Sequence, residues 1–155
     1  MSILFLDFDG VLNNSKSIKK FGTNQIFDKE NIENLNYILT AANPDIVISS
    51  NWRLSLSLEQ IKIFLYDQKL RNFNIIDITT SYDKIYTPDN IKIPLTREQE
   101  ILIYLSRTKN NRKFVILDDR DDFGRFMPHL VKTQIDYGLT RELSEQTILL
   151  LSKNC

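Results

Sequence analysis

"MSILFLDFDGVLNN" (residues 1–14) sets the apolar run Ile3–Leu6 directly before two carboxylates, Asp7 and Asp9. The run over residues 3–8 is short, apolar and ended by Asp-Gly, which predicts a buried parallel strand. An unpaired charge is costly to bury, so carboxylates at the end of such a strand call for compensation, and a cation is the first candidate.

Outward from that strand, the apolar pattern alternates between strand and helix. Residues 27–42 place Ile32, Leu35, Ile38 and Leu39 at helical spacing, with Asp28 as N-cap and Pro44 as stop. Residues 45–50 read as a second strand, 57–70 as a helix capped by Ser57, and 73–78 as a third strand. Residues 79–96 hold two prolines and no sustained period, which predicts a long loop with room for a small hairpin. A helix over 96–108, strands over 113–119 and 129–134, and a closing helix over 140–153 complete the pattern. The runs "KSIKK" (16–20) and "RTKNNRK" (107–113) read as solvated faces. The expected fold is α/β: a Rossmann-like, doubly wound parallel sheet of five strands with helices on both faces, in one domain over 1–155.

Composition narrows the function. Twenty basic residues balance twenty acidic ones, so no global charge steers the chain to nucleic acid or anionic lipid. The single cysteine, Cys155, cannot form an internal disulfide, and no basic start precedes the apolar run as in a signal peptide. A cytoplasmic protein without a membrane span is expected.

Sheets of this kind bind ligands beyond the carboxyl ends of their strands, near the topological switch point. Asp7 and Asp9 follow the first strand, and Ser49 and Ser50 the second. Arg97 opens the helix before the fourth, which Asp118 and Asp119 end. Carboxylates from two strands suit a hard, oxygen-seeking cation such as Mg²⁺; hydroxyls and a guanidinium suit phosphoryl oxygens. His129 is the only histidine, and without a His or Cys cluster zinc is not expected.

The ordered set "FLDFDGVL", "IVISS", Arg97 and "VILDD" resembles the haloacid dehalogenase (HAD) superfamily of phosphatases. More narrowly, "DFDGVLN", "SSNWR", "VILDDRDD" and "HLVKTQIDYGLT" resemble a small capless branch that includes HAD domains of RNA-repair proteins. The resemblance implies that Asp7 is the nucleophile and Asp9 the general acid and base. It implies a Mg²⁺ site formed by Asp7, Asp119 and the Asp9 backbone carbonyl, supported by Asp118. Ser49 or Ser50, the latter followed by Asn51, would hold a phosphoryl oxygen. Arg97, with Lys92 as a rival, would shield the charge repulsion between Asp7 and phosphate. Arg53 is expected to contact substrate, and Trp52 either lines the pocket or packs in the core.

The gaps between these motifs are too short for a folded cap, although loop 79–96 offers a partial cover. In the superfamily that the chain resembles, an open site implies a large phosphorylated substrate such as a nucleic-acid end or a protein, with no obligate protein partner. A small nucleotide or sugar phosphate is the alternative. A non-enzymatic, receiver-like phosphate-binding domain is another, but receivers place the acidic pair at the first strand and the phosphorylated aspartate later.

Overall fold

The computed structural model describes residues 1–80, 84–86 and 88–152, with backbone alone for 84–86 and 92. Cys155 and part of the loop over 79–96 therefore lie outside the described residues. Strand β1 (Ile3–Leu6) is followed by helices α1 (Ser15–Phe21) and α2 (Lys29–Ala42), then β2 (Asp45–Ile48), α3 (Leu58–Asp67) and β3 (Asn74–Ile78). A hairpin of β4 (Lys84–Tyr86) and β5 (Lys92–Pro94) precedes α4 (Arg97–Thr108), β6 (Phe114–Asp118), β7 (Leu130–Lys132) and α5 (Arg141–Ser152). Two short 3₁₀ turns, Asn51–Leu54 and Gly124–His129, follow β2 and β6.

Five strands form one sheet in the order β3-β2-β1-β6-β7, and every pairing in it is parallel. The chain winds outward from β1 through β2 to β3, then crosses to β6 on the other side of β1. The switch point therefore falls between β1 and β6, where such sheets open a crevice. Register brings the strand ends level: Leu6 pairs with both Ile48 and Leu117. The ladder continues one step further, with Asp7 N–H donating to Leu117 O (3.0 Å) and Ser49 N–H to Leu6 O (3.0 Å).

Side-chain alternation then decides which groups meet. Ile3 and Phe5 join Val47, Ile116, Ile101 and Tyr104 in the core beneath α4. Leu4 and Leu6 join Ile46, Ile48, Leu35 and Leu65 in the larger core on the other face. With a period of two, Asp7, Ser49 and Asp118 continue the α4 side, the side from which Arg97 projects. Phe5 meets Tyr104 and Phe114 edge-on at 5.5 and 5.6 Å, which holds β1 firmly against α4 and β6.

The helices follow their caps. Asp28 accepts from Glu30 and Asn31 N–H to start α2, and Ser57 and Thr96 form capping boxes with Gln60 and Gln99. The expected face of α2 holds, with Ile32, Leu35, Ile38 and Leu39 all buried; in α3, Ile61 and Leu65 are buried and Phe64 packs partly buried against the same core.

Three local readings need correction. Residues 16–20 are helical as well as solvated, because Asn14 and Ser17 cap α1 reciprocally and Gly22 ends it. Arg112, expected on a solvated face, bridges the sheet: it donates to Met1 O, Ser2 O and Asp45 Oδ2. Residues 129–134 yield only a three-residue strand, because the 3₁₀ turn runs to His129. Among the described residues, no helix is long and apolar enough to cross a membrane.

Candidate active site

Arg97 is the hub of the strand ends. Its guanidinium lies 3.9 Å from Asp7 Oδ1 and 2.9 Å from Glu100 Oε2, and its Nε 3.7 Å from Asp118 Oδ2. It also donates to Ser49 O. All four of these side chains are buried. Burial works against its charge, yet Asp7, Glu100 and Asp118 together raise the Arg97 pKa above its ordinary value. The first turn of α4 is anchored in turn, with Arg97 N–H donating to Asp122 Oδ2 at 3.2 Å.

One cation does not neutralise this set. Burial, opposed mainly by Arg97, pushes the Asp7 carboxyl up to about 6. Burial and the neighbouring Asp7 charge push Asp118 up to about 7. Asp118 Oδ2 is fully enclosed and accepts no hydrogen bond from the described residues, since 3.7 Å from Arg97 is too long for one. Asp7, Asp118 and Asp119 each bring one carboxylate oxygen within 4.8 Å of the others. Gly10 makes room for this: at φ +75°, a Cβ there would lie 2.4 Å from Asp119 Oδ2. An orphaned buried carboxylate oxygen among three oxygen donors fits a hard divalent cation.

Asp9 sits apart from that cluster and is only half-buried. Asn13 Nδ2 (2.7 Å) and Asn24 Nδ2 (3.3 Å) donate to Oδ1, and Trp52 Nε1 donates to Oδ2 at 3.0 Å. Of the two roles left open by its sequence, Trp52 takes core packing, with its ring on Phe8, Phe27 and Phe64, and its indole N–H adds the hold on Asp9. A cleft of about 250 Å³ opens over the cluster, lined by Asp7, Asp9, Asn51, Arg97, Asp119 and Arg120.

The remaining expected site residues divide. Ser50 stands beside the Asp7 carboxyl, where its hydroxyl favours the ionised form, and caps the 3₁₀ turn at Trp52 N–H. The Ser49 hydroxyl is buried with no hydrogen-bond partner among the described residues, and its carbonyl accepts from Arg53 as well as Arg97. Arg53 does not line the cleft. Its guanidinium is buried in an ion pair with Glu100 at 2.7 Å and also donates to Ser50 O at 2.8 Å. Burial, only partly offset by Glu100, lowers its pKa. The Lys92 side chain lies outside the described atoms, and no described residue of the hairpin lines the cleft.

Sequence reading passed over Glu100, Asn13, Asn24 and Arg120. Only Glu100 carried a local signal, as an Arg97–Glu100 pair at helical i,i+3 spacing.

A carboxylate cluster at the switch point of a parallel sheet, gathered around one buried arginine, is the arrangement the motif order anticipated. A model of the HAD domain in Swiss Army Knife RNA repair proteins matches residues 3–143. The chain belongs to that family. No curated protein and no solved structure matches it. Membership places this HAD domain in phosphohydrolase-type chemistry, and the match spans every strand and the motifs at their ends.

Proposed function

We propose that this HAD domain is a Mg²⁺-dependent phosphomonoesterase working through an aspartyl-phosphate on Asp7. The observation that carries the reading is the division of labour among the carboxylates. Asp7, Asp118 and Asp119 converge within 4.8 Å, while Asp9 is held separately by an indole and two amides.

In this reading Asp7 attacks phosphorus in line, and the bond to the ester oxygen breaks. Asp9 gives its proton to the departing oxygen and then takes one from the water that attacks the phospho-aspartate. That second attack returns free phosphate and the Asp7 carboxylate. Ser50, already at the Asp7 side chain, holds a phosphoryl oxygen together with Asn51, and the unpaired Ser49 hydroxyl offers a second donor. Arg97 offsets the charge of Asp7 as phosphate approaches, and Arg53 positions the β2 loop through Glu100. Asp7, Asp119 and the Asp9 carbonyl would hold the cation, with Asp118 supporting; when bound, it supplies positive charge to the phosphoryl oxygens. The domain is a single unit over 1–155 acting in the cytoplasm.

The metal is testable without turnover. Asp7 and Asp118 have folded-state pKa values raised from 3.8 to about 6 and about 7. Their contribution favours the fold below the unfolded value and is lost as pH rises through the folded ones. A bound cation stabilises the ionised carboxylates by its own charge and releases the protons they would otherwise hold. Mg²⁺ should therefore raise the melting temperature clearly near pH 8 and little near pH 5. Equal shifts at both pH values, or none, would count against the site.

The role of Asp9 predicts a leaving-group effect. Asp9→Asn should slow an alkyl ester by about 10²–10⁴-fold and an activated aryl ester far less. Equal losses on both would remove Asp9 as the acid.

For the substrate we infer a phosphorylated nucleic-acid end, supported by the RNA-repair family and by a cleft that no described hairpin residue lines. The test is phosphate release from end-phosphorylated oligonucleotides and from mononucleotides at low and moderate salt. Backbone contacts predict a Michaelis constant that rises with salt for the oligonucleotide alone. Equal efficiency and equal salt response on both would replace the polymer with a small nucleotide or sugar phosphate.

A further inference from the structure

Beside the acidic cleft lies a second depression of about 420 Å³, walled by Trp52, Phe64 and Leu56 with Asn24, Gln25 and Asn51 at its polar edge. Its volume falls in the roughly 300–1,000 Å³ range of small-molecule sites. Asn51 lines both spaces. Two of the three donors that hold the Asp9 carboxylate, Trp52 Nε1 and Asn24 Nδ2, come from the wall of this groove.

That placement has a consequence for the phosphatase reading, on which this inference rests. Asp9 must stand beside the oxygen that leaves, so the organic half of the ester departs on the groove side. The groove lining carries no acid and no base, so it matches an uncharged group. Its apolar surface is aromatic and braced: Trp52 packs on Phe8, Phe27 and Phe64 with ring centroids 5.1–5.6 Å apart. The side-chain amides of Gln25 and Asn51 make no hydrogen bond among the described residues, and each offers both donor and acceptor atoms. A flat heterocycle with a polar edge satisfies both surfaces.

We propose that this groove binds the nucleoside bearing the scissile phosphate, its base against Trp52 and Phe64 and its edge toward Gln25, with Asn51 at the boundary between base and phosphate. Trp52 is the sole tryptophan, so its fluorescence reports occupancy without any chemistry. Unphosphorylated nucleosides should quench it saturably, and ribose should not. Ser55→Arg, at an exposed position on the groove wall, should abolish the quenching. It should also raise the Michaelis constant for nucleoside monophosphates by about tenfold or more, the scale of one lost stacking contact. Glycerol phosphate, which has no base, should be turned over as before.

Gln25→Ala, which removes only an exposed amide, should weaken nucleoside binding in the same direction and guards against misfolding of the first variant. A mononucleotide and an end-phosphorylated oligonucleotide should lose equally in Ser55→Arg if each seats its terminal nucleoside here. Loss confined to the oligonucleotide would instead make the groove a contact for the following nucleotide and overturn the assignment. Absence of quenching by every nucleoside, or an unchanged ratio of Michaelis constants for nucleotide and glycerol phosphate, would also overturn it. If no ester is hydrolysed at all, the phosphatase reading fails while the quenching still decides the groove.

Discussion

Asp7→Asn should lower turnover of any phosphate ester by about a thousandfold or more, because an amide cannot act as the nucleophile. The same change should leave the metal-free protein at least as stable near pH 7.5. It removes a carboxyl that burial has already pushed up to about 6, while Arg97 keeps Glu100 and Asp118 as partners. Loss of activity with an unchanged or raised melting temperature is the expected pair of results. Substantial residual turnover would move the nucleophile elsewhere. A collapse in stability would mean that Asp7 is chiefly structural.

The largest expected loss of stability comes from Arg97→Met. Methionine keeps much of the volume but strands Asp7 and Asp118 beside each other without their shared cation and leaves Glu100 to Arg53 alone. Breaking a buried ion pair from one side costs about 3–5 kcal/mol, and here one side chain serves three carboxylates and the Ser49 carbonyl. Urea unfolding near pH 7.5 should show a loss in that range. The loss should shrink near pH 5, where Asp7 and Asp118 take up protons in the folded state. A change below about 1 kcal/mol, typical of an exposed pair, would contradict the description of Arg97 as the hub.

The strand ends were legible because their signals are local. The run Ile3–Leu6 and the acids after it need no tertiary information, and neither do the helical spacing of Ile32, Leu35, Ile38 and Leu39 or the caps at Asp28 and Ser57. Helix α1 was hidden because "SKSIKKF" has no apolar stripe; its cap partner at the third position is Ser17 rather than the usual glutamate or glutamine. Arg53 was misleading for a physical reason. It follows the serine loop as a substrate-binding arginine would, yet its direction is set by Glu100, far along the chain on α4. Asn24 and Trp52 reach Asp9 across 15 and 43 positions, and no periodicity in the sequence encodes such a contact. The acids gathered at the strand ends were readable, and so was Arg97; Glu100 and Asn24, which hold their neighbours in place, were not.

Stereochemistry at phosphorus decides whether phosphate passes through a covalent bond to Asp7. Each in-line displacement inverts the phosphorus centre. Transfer from an isotopically chiral phosphate monoester to an acceptor alcohol through phospho-Asp7 involves two displacements and predicts net retention. Net inversion would show that the acceptor attacks the ester itself, and Asp7 would then be a metal ligand or a base instead of the nucleophile.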